Sequence, residues 1–210
     1  MKITEGVAEL VGAIIGDGYI YTNNRKYQIG LVGSPLTDKE YFEKLKSLIF
    51  SEWSKEAKIK FREGGLRMVI DSKEIASFLI NELGIAHGEG KCEKVTIPEK
   101  MISNWVLVRN VLRGIVDTDG SVFVSKKPGI EKYPSIEITT TSKLLAEQIK
   151  LLLEQKGFRV AKIWSYKSKM SKRTTYKVPL NGSANLNKWV EEIGFSNPYK
   201  MNRALSYLKK

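Results

Sequence analysis

Apolar residues recur at helical spacing in two stretches, about Ile3–Ile15 and Trp105–Val116, and alternate with polar residues in most segments that follow each. After the first helix, Tyr19–Thr22 and Tyr27–Val32 carry the two-residue period of strands and are joined through the turn pair Asn23-Asn24. Gly33-Ser34-Pro35 stops the second strand. Thr37 is then placed to cap a helix over Asp38–Trp53, with Glu40 at the capping-box position and Tyr41, Leu45, Leu48 and Ile49 on its apolar face. Lys58, Lys60 and Arg62 alternate with Ile59 and Phe61, and Gly64-Gly65 turns the chain into Leu66–Ile70. Period-2 alternation puts these three cations on one sheet face and the apolar residues on the other. A helix at Lys73–Leu83 closes this half, and Gly84–Asn104, with Pro98 inside it, reads as a connector.

The order then repeats. Helix Trp105–Val116 is followed by strands Ser121–Ser125 and Ser135–Thr141, and Ser142 caps a helix Lys143–Lys156 that Gly157 ends. Strands are predicted at Phe158–Tyr166 and Thr174–Leu180, joined by a basic stretch with Lys167, Lys169, Lys172 and Arg173. A helix near Asn185–Ile193 and another from about Pro198 complete the chain. The fold class predicted is α+β, with two pseudo-symmetric α-β-β-α-β-β-α halves, 1–97 and 98–210, whose antiparallel sheets form one saddle.

The repetition is sharpest in two nonamers. Leu10–Gly18 reads Leu-Val-Gly-Ala-Ile-Ile-Gly-Asp-Gly, and Leu112–Gly120 reads Leu-Arg-Gly-Ile-Val-Asp-Thr-Asp-Gly, at an offset of 102 positions in a chain of 210. On a helix, Gly12 and Gly16 form one small strip and Gly114 and Thr118 the matching one. Small residues let two helix backbones approach closely. If the strips pack together, the helices end side by side, each with an acid, Asp17 or Asp119. The glycine after each acid (Gly18, Gly120) suits a left-handed residue at a helix C-terminus. Two carboxylates at the negative ends of neighbouring helices repel one another unless a cation lies between them, and that conflict with a local rule points to a site rather than to packing.

Charge adds a partner. A net charge of +12 with an ordinary apolar content of 42% implies a polyanion, with nucleic acid ahead of an acidic membrane surface. A lysine-rich surface serving solubility alone is the competing reading. With one Cys (Cys92) and one His (His87), neither an internal disulfide framework nor a Cys/His zinc site is available. Any metal would be held by oxygens, which favours Mg²⁺. Val11–Ile15 is too short to span a membrane and lacks a signal-peptide layout, so an intracellular location is expected. Asp117-Thr-Asp-Gly fails as a calcium loop because Pro128 stands at the twelfth position, and Gly12–Gly18 fails as a P-loop for want of a preceding strand and a Lys-Ser/Thr.

The two nonamers resemble the LAGLIDADG motif of homing endonucleases, in the single-chain form with two motifs. The likeness covers essentially the whole chain, including Ile193–Lys200, which is similar to the family's usual end to its second half. It implies a monomeric, site-specific endonuclease that breaks both strands of duplex DNA at a long site and leaves short 3′ overhangs. It implies metal ligation by Asp17 and Asp119, with the backbone carbonyls of Gly16 and Thr118 beside them. Mg²⁺ is the implied cofactor, with Mn²⁺ able to substitute and Ca²⁺ supporting binding without cleavage. A basic residue near each scissile phosphate is implied too. Lys91 or Lys94, and Lys200, occupy suitable positions, with Gln28 as a polar partner. Ile15 stands where Asp117 stands in the second motif, so Asp117 is read as structural.

On the saddle, strand alternation nominates Tyr19, Tyr21, Gln28, Lys58, Lys60, Arg62, Arg67, Lys126, Glu137, Thr139, Arg173, Thr175 and Lys177 for contact with bases or phosphates in the major groove, which accepts β-ribbons. Three origins stay open. The lack of flanking protein-splicing segments favours an intron or free-standing frame over a whole intein. Two rival functions use the same fold: a maturase binding intron RNA, and a non-cleaving DNA-binding regulator. A binder gains nothing from two repelling carboxylates, which favours the enzyme.

Overall fold

The computed structural model describes residues 1–23, 25–62, 64–169 and 173–208; Asn24 of the first expected turn and Lys172 of the basic stretch lie outside them. The first half runs α1 (Glu5–Ile15), β1 (Gly18–Asn23), β2 (Lys26–Gly33), α2 (Lys39–Trp53), β3 (Lys58–Arg62), β4 (Gly65–Asp71) and α3 (Lys73–Ser77), which continues as a π-helical turn over Phe78–Glu82. Two short helices, α4 (Lys91–Lys94) and α5 (Glu99–Ile102), lie in the connector. The second half runs α6 (Trp105–Asp119), β5 (Gly120–Lys127), β6 (Ile130–Thr140), α7 (Lys143–Gln155), β7 (Trp164–Lys167), β8 (Thr174–Asn181), α8 (Ser183–Glu192) and α9 (Pro198–Leu208). Among the described residues, no helix is long and apolar enough to cross a membrane.

Each half contributes one four-stranded antiparallel sheet, ordered β1-β2-β4-β3 and β5-β6-β8-β7. In the first sheet Ile20, Ile29, Leu31, Leu66, Met68 and Ile70 are buried on one face. The opposite face carries cross-strand rows, Val32–Arg67–Lys60 and Tyr21–Gln28–Asp71. In the second, Val122, Ile136, Ile138, Val178 and Leu180 are buried, and Thr139–Lys177–Trp164 forms an outward row. A half-buried alternating sheet needs such an apolar partner layer on one side only.

The core continues between the halves through α1 and α6, which cross backbone to backbone. A Cβ on Gly12 would stand 2.9 Å from the carbonyl carbon of Val111, and one on Gly114 only 2.6 Å from the amide nitrogen of Ala13. No side chain fits either place, so two glycines permit the crossing. Around it Arg113 meets Glu9 at 3.3 Å and Arg109 meets Glu5 at 3.2 Å.

Several local expectations are corrected. Gly18 and Gly120 are not left-handed: Gly120 has φ −91° and ψ 150°, and each opens a strand. Their lack of a side chain serves close approach instead, since a Cβ would stand 2.7 Å from Ile14 O or 2.6 Å from Val116 Cγ1. Thr37 does not cap α2; Asp38 takes the N-cap place, and the Thr37 hydroxyl donates to its carboxylate at 3.1 Å. Helix α6 runs on past Val116 through Asp119. Phe158–Tyr166 is a continuous strand only from Trp164: before it, Val160 makes an isolated bridge to Leu180, and Asn185 takes the Arg159 N–H and donates to the Arg159 carbonyl, at 3.0 and 2.8 Å, in place of a ladder there. Ser142 does cap α7, accepting from Leu145 N at 3.2 Å.

Candidate active site

The crossing of α1 and α6 brings the two acids together. A Cβ on Gly16 would stand 3.0 Å from Thr118 Cβ and 3.1 Å from Asp119 Oδ2, so the end of one motif rests on the acid of the other. Asp119 is half-buried and Asp17 more open. Burial, and then the charge of Asp17, raise the Asp119 carboxyl to about 7, against the pull of Lys200 and Lys91. The protein packed on the inner side of Asp17 raises its carboxyl too, opposed by the same two lysines. The site therefore resists holding two bare negative charges.

A lysine stands at each helix end. Lys91, on α4, donates to the carbonyl of Ile14 at 3.1 Å and to that of Gly18. Lys200, on α9, donates to the carbonyls of Val116 and Thr118 at 2.7 and 3.1 Å. Ile14 and Val116 are equivalent positions of the two motifs, so the lysines occupy corresponding places. They donate to backbone carbonyls at the two motif ends, that of Val116 also accepting from the Gly120 N–H, and complement the negative end of each helix dipole. Burial lowers both ammonium groups, opposed by the acids nearby. Lys94, the alternative to Lys91, is exposed.

Asp117 is buried beneath the pair, and Oδ2 accepts from the amides of Ser196 and Asn197 at 2.7 and 3.1 Å. It thereby fixes the loop that enters α9 and carries Lys200. Its carboxyl is pushed to about 7 by burial, opposed by those two amides, and Oδ1 has no hydrogen-bond partner.

The oxygens available to a cation are the two carboxylates and the carbonyls of Gly16 and Thr118, of which the latter already accepts from Lys200. Among the described residues no group of three or more acids, histidines or cysteines could hold a metal ion. The donor set still fits a hard cation such as Mg²⁺, which takes one or two carboxylates and completes its shell with water and phosphate oxygens.

The sheet faces flank this centre. In the first half Lys58, Lys60, Arg62, Arg67, Gln28 and Asp71 line one hollow of about 300 Å³ together with Tyr19 and Lys26. Gln28 accepts from the Tyr19 hydroxyl at 3.3 Å and donates to Asp71 at 3.0 Å; it has no hydrogen bond to either acid. Tyr21 is exposed, and its hydroxyl accepts from Asn23. In the second half Thr139 and Thr175 line a hollow with Gly16, Cys92 and Asp119. Glu137 forms an ion pair with Lys177, and Arg173 with Glu93 at 3.0 Å. Lys126 is exposed at a register shift between Ser125 and Lys127, which takes it out of strand alternation. Sequence reasoning missed Lys26, Trp164 and Tyr166. The two rings stack at 5.6 Å with Lys177 Nζ 5.2 and 5.9 Å from their centroids, and their shared parity with Lys177 across the β7–β8 ladder was the available signal.

Paired helices ending in paired acids, each helix leading into its own sheet, define a two-motif LAGLIDADG architecture. Residues 107–194 match the family model for a LAGLIDADG-like domain. The chain carries that domain in its second half and the single-chain, two-motif fold over its length. Its fold is similar to that of I-DmoI in complex with DNA and Ca, at a TM-score of 0.64 and 19% identity over 96% of this chain and 97% of that one. It is likewise similar to I-WcaI bound to its DNA recognition sequence, at 0.61 and 18% over 100% and 88%. Curated relatives are named Replication factor C small subunit. That of Methanocaldococcus jannaschii is 32% identical over 98% of this chain, and that of Thermococcus kodakarensis 31% over 97%. The chain spans only 10% and 21% of their respective lengths.

Proposed function

We propose that the protein is a site-specific endonuclease that hydrolyses both strands of duplex DNA, leaving short 3′ overhangs. The observation that carries this reading is the pair Asp17 and Asp119 held together at adjoining helix ends, with a half-buried lysine at each end. A protein that only binds has no use for carboxylates whose mutual repulsion helps raise one of them to about 7. The complexes of I-DmoI and I-WcaI with DNA support a duplex partner on the same fold.

Asp17 and Asp119 would hold the divalent cation, with the Gly16 and Thr118 carbonyls as further donors. A bound Mg²⁺ there supplies charge neutralisation at the phosphate and a more acidic water. Lys91 and Lys200 each place a cation near the paired acids, where it attracts a phosphate oxygen and stabilises the charge that develops on it. Because burial lowers both amines, each also releases a proton more readily than a surface lysine. The basic hollow of the first sheet and the Trp164–Tyr166–Lys177 stack of the second grip the duplex on either side. Gln28 belongs to that grip. The chain acts as a monomer, since both motifs are present in it. The match to a small part of longer relatives supports a module that can be carried inside another chain.

Selection on randomised duplex DNA in Ca²⁺, then transfer of the enriched sequence to Mg²⁺ or Mn²⁺, tests this. A long enriched site, cut in both strands by the wild type and by neither Asp17→Asn nor Asp119→Asn, is the expected result. Enrichment without cutting would leave a DNA-binding regulator. No duplex enrichment would redirect the search to structured intron RNA.

A further inference from the structure

The segments that carry the two lysines are fastened in part by the opposite halves. Lys91 reaches back to α1 of the first half, yet the segment that carries it is fastened to the second. Thr141 Oγ1 donates to the Cys92 carbonyl at 2.9 Å, and Ser142 Oγ to that of Val95 at 2.8 Å. Gln148 on α7 brackets Ile97, accepting from its N–H at 2.7 Å and donating to its carbonyl at 3.2 Å. Arg173 pairs with Glu93 on α4 itself.

Lys200 mirrors this in part. It serves α6 of the second half, but Lys44 of α2 donates to the Ser196 carbonyl at 3.0 Å, and Asn197 Nδ2 donates to Asp38 at 3.0 Å. Its own half contributes Asp117 to the same loop.

We infer that Gln148 and Lys44 are positioning residues for the cleavage centre acting across the halves, so that each half sets the rate at which the other half's lysine works. The inference rests on the endonuclease reading. A direct contact between halves that only stabilised the fold would slow both strands alike. A crossed fastening acts on one strand, because a bidentate clamp on Ile97 moves only the lysine carried a few residues before it. Positioning errors of about 1 Å can cost as much as about a hundredfold in rate.

The test uses the enriched duplex with each strand labelled separately. Lys91→Met and Lys200→Met first identify the strand that each lysine serves. Gln148→Met is then expected to slow the Lys91 strand roughly tenfold, with the other strand within about twofold. Lys44→Met, an exposed change, is expected to slow the Lys200 strand by a smaller factor, because Asp117 still holds that loop. Unfolding midpoints measured alongside must stay near wild type for the comparison, and Thr141→Val provides a second route to the Lys91 segment if Gln148→Met unfolds the chain. Equal slowing of both strands, or slowing of the strand served by the variant's own half, overturns the crossed assignment while leaving the endonuclease intact. A wild type that cuts neither strand overturns the underlying reading instead.

Discussion

Gly12 lies against Val111 so closely that a Cβ on the glycine would stand 2.9 Å from the Val111 carbonyl carbon. Backbone faces backbone, and neither helix can yield by rotating a side chain. Gly12→Ala is therefore expected to destabilise the fold by about 1–3 kcal/mol, the usual range for overpacking a tight site. Urea unfolding would measure the loss. Cleavage should fall further than stability does, since the same crossing sets the separation of the acids.

Asp119 links stability to pH. Its carboxyl keeps its proton up to about 7 in the fold but ionises near 3.8 when unfolded, so the native chain binds more protons between those values. The contribution of this group to stability consequently falls as pH rises from about 4 to about 7. Asp119→Asn removes that loss and is expected to unfold later than wild type at pH 8 by roughly 1–2 kcal/mol, with the full linkage value discounted for partial solvent access. Near pH 4 the two should coincide. The same variant should not cut, so gain of stability and loss of activity would separate in one protein.

Cation binding should show the same proton. At pH 6.5 Ca²⁺ must displace up to about one proton from Asp119, because ligand carboxylates are deprotonated. Calorimetry in two buffers of different ionisation enthalpy would reveal the release, and Asp119→Asn should abolish it.

The two sheets are expected to bind DNA by different means. Replacing Lys58 or Lys60 by Ala should lower the slope of log affinity against log salt by about one for each phosphate left without its cation. Trp164→Ala should weaken binding with little change in slope. Glu137→Gln frees the Lys177 charge that it now pairs, and is expected to steepen the slope and strengthen binding to unrelated duplexes.

Periodicity made most of this architecture legible. Alternation of Lys58, Lys60 and Arg62 with apolar residues placed the first sheet's two faces, and the Gly12 and Gly114 strips brought the motif helices together. What escaped depended on contacts distant in sequence. The apolar run after Phe158 has the look of a strand, but Phe158 turns inward against Trp189 at 6.1 Å and Asn185 takes the neighbouring backbone bonds. The run of α6 through Asp119 goes with the Ser196–Asn197 loop that Asp117 ties beneath it. The fastening of Ile97 by Gln148 has no local pattern at all, since a glutamine on a helix face reads as solvent-exposed until the connector is known to lie across it.

Thr118 fills a space that Gly16 leaves open. Its hydroxyl donates to the carbonyls of Gly114 and Ile115, each at 3.0 Å, and its side chain occupies the place that a Cβ on Gly16 would claim. The two copies of the motif have thus become a peg and a socket. Two first halves paired with each other would leave a void at this point, and two second halves would set threonine against threonine. The difference at this position makes the contact directional, since neither motif carries both the peg and the socket.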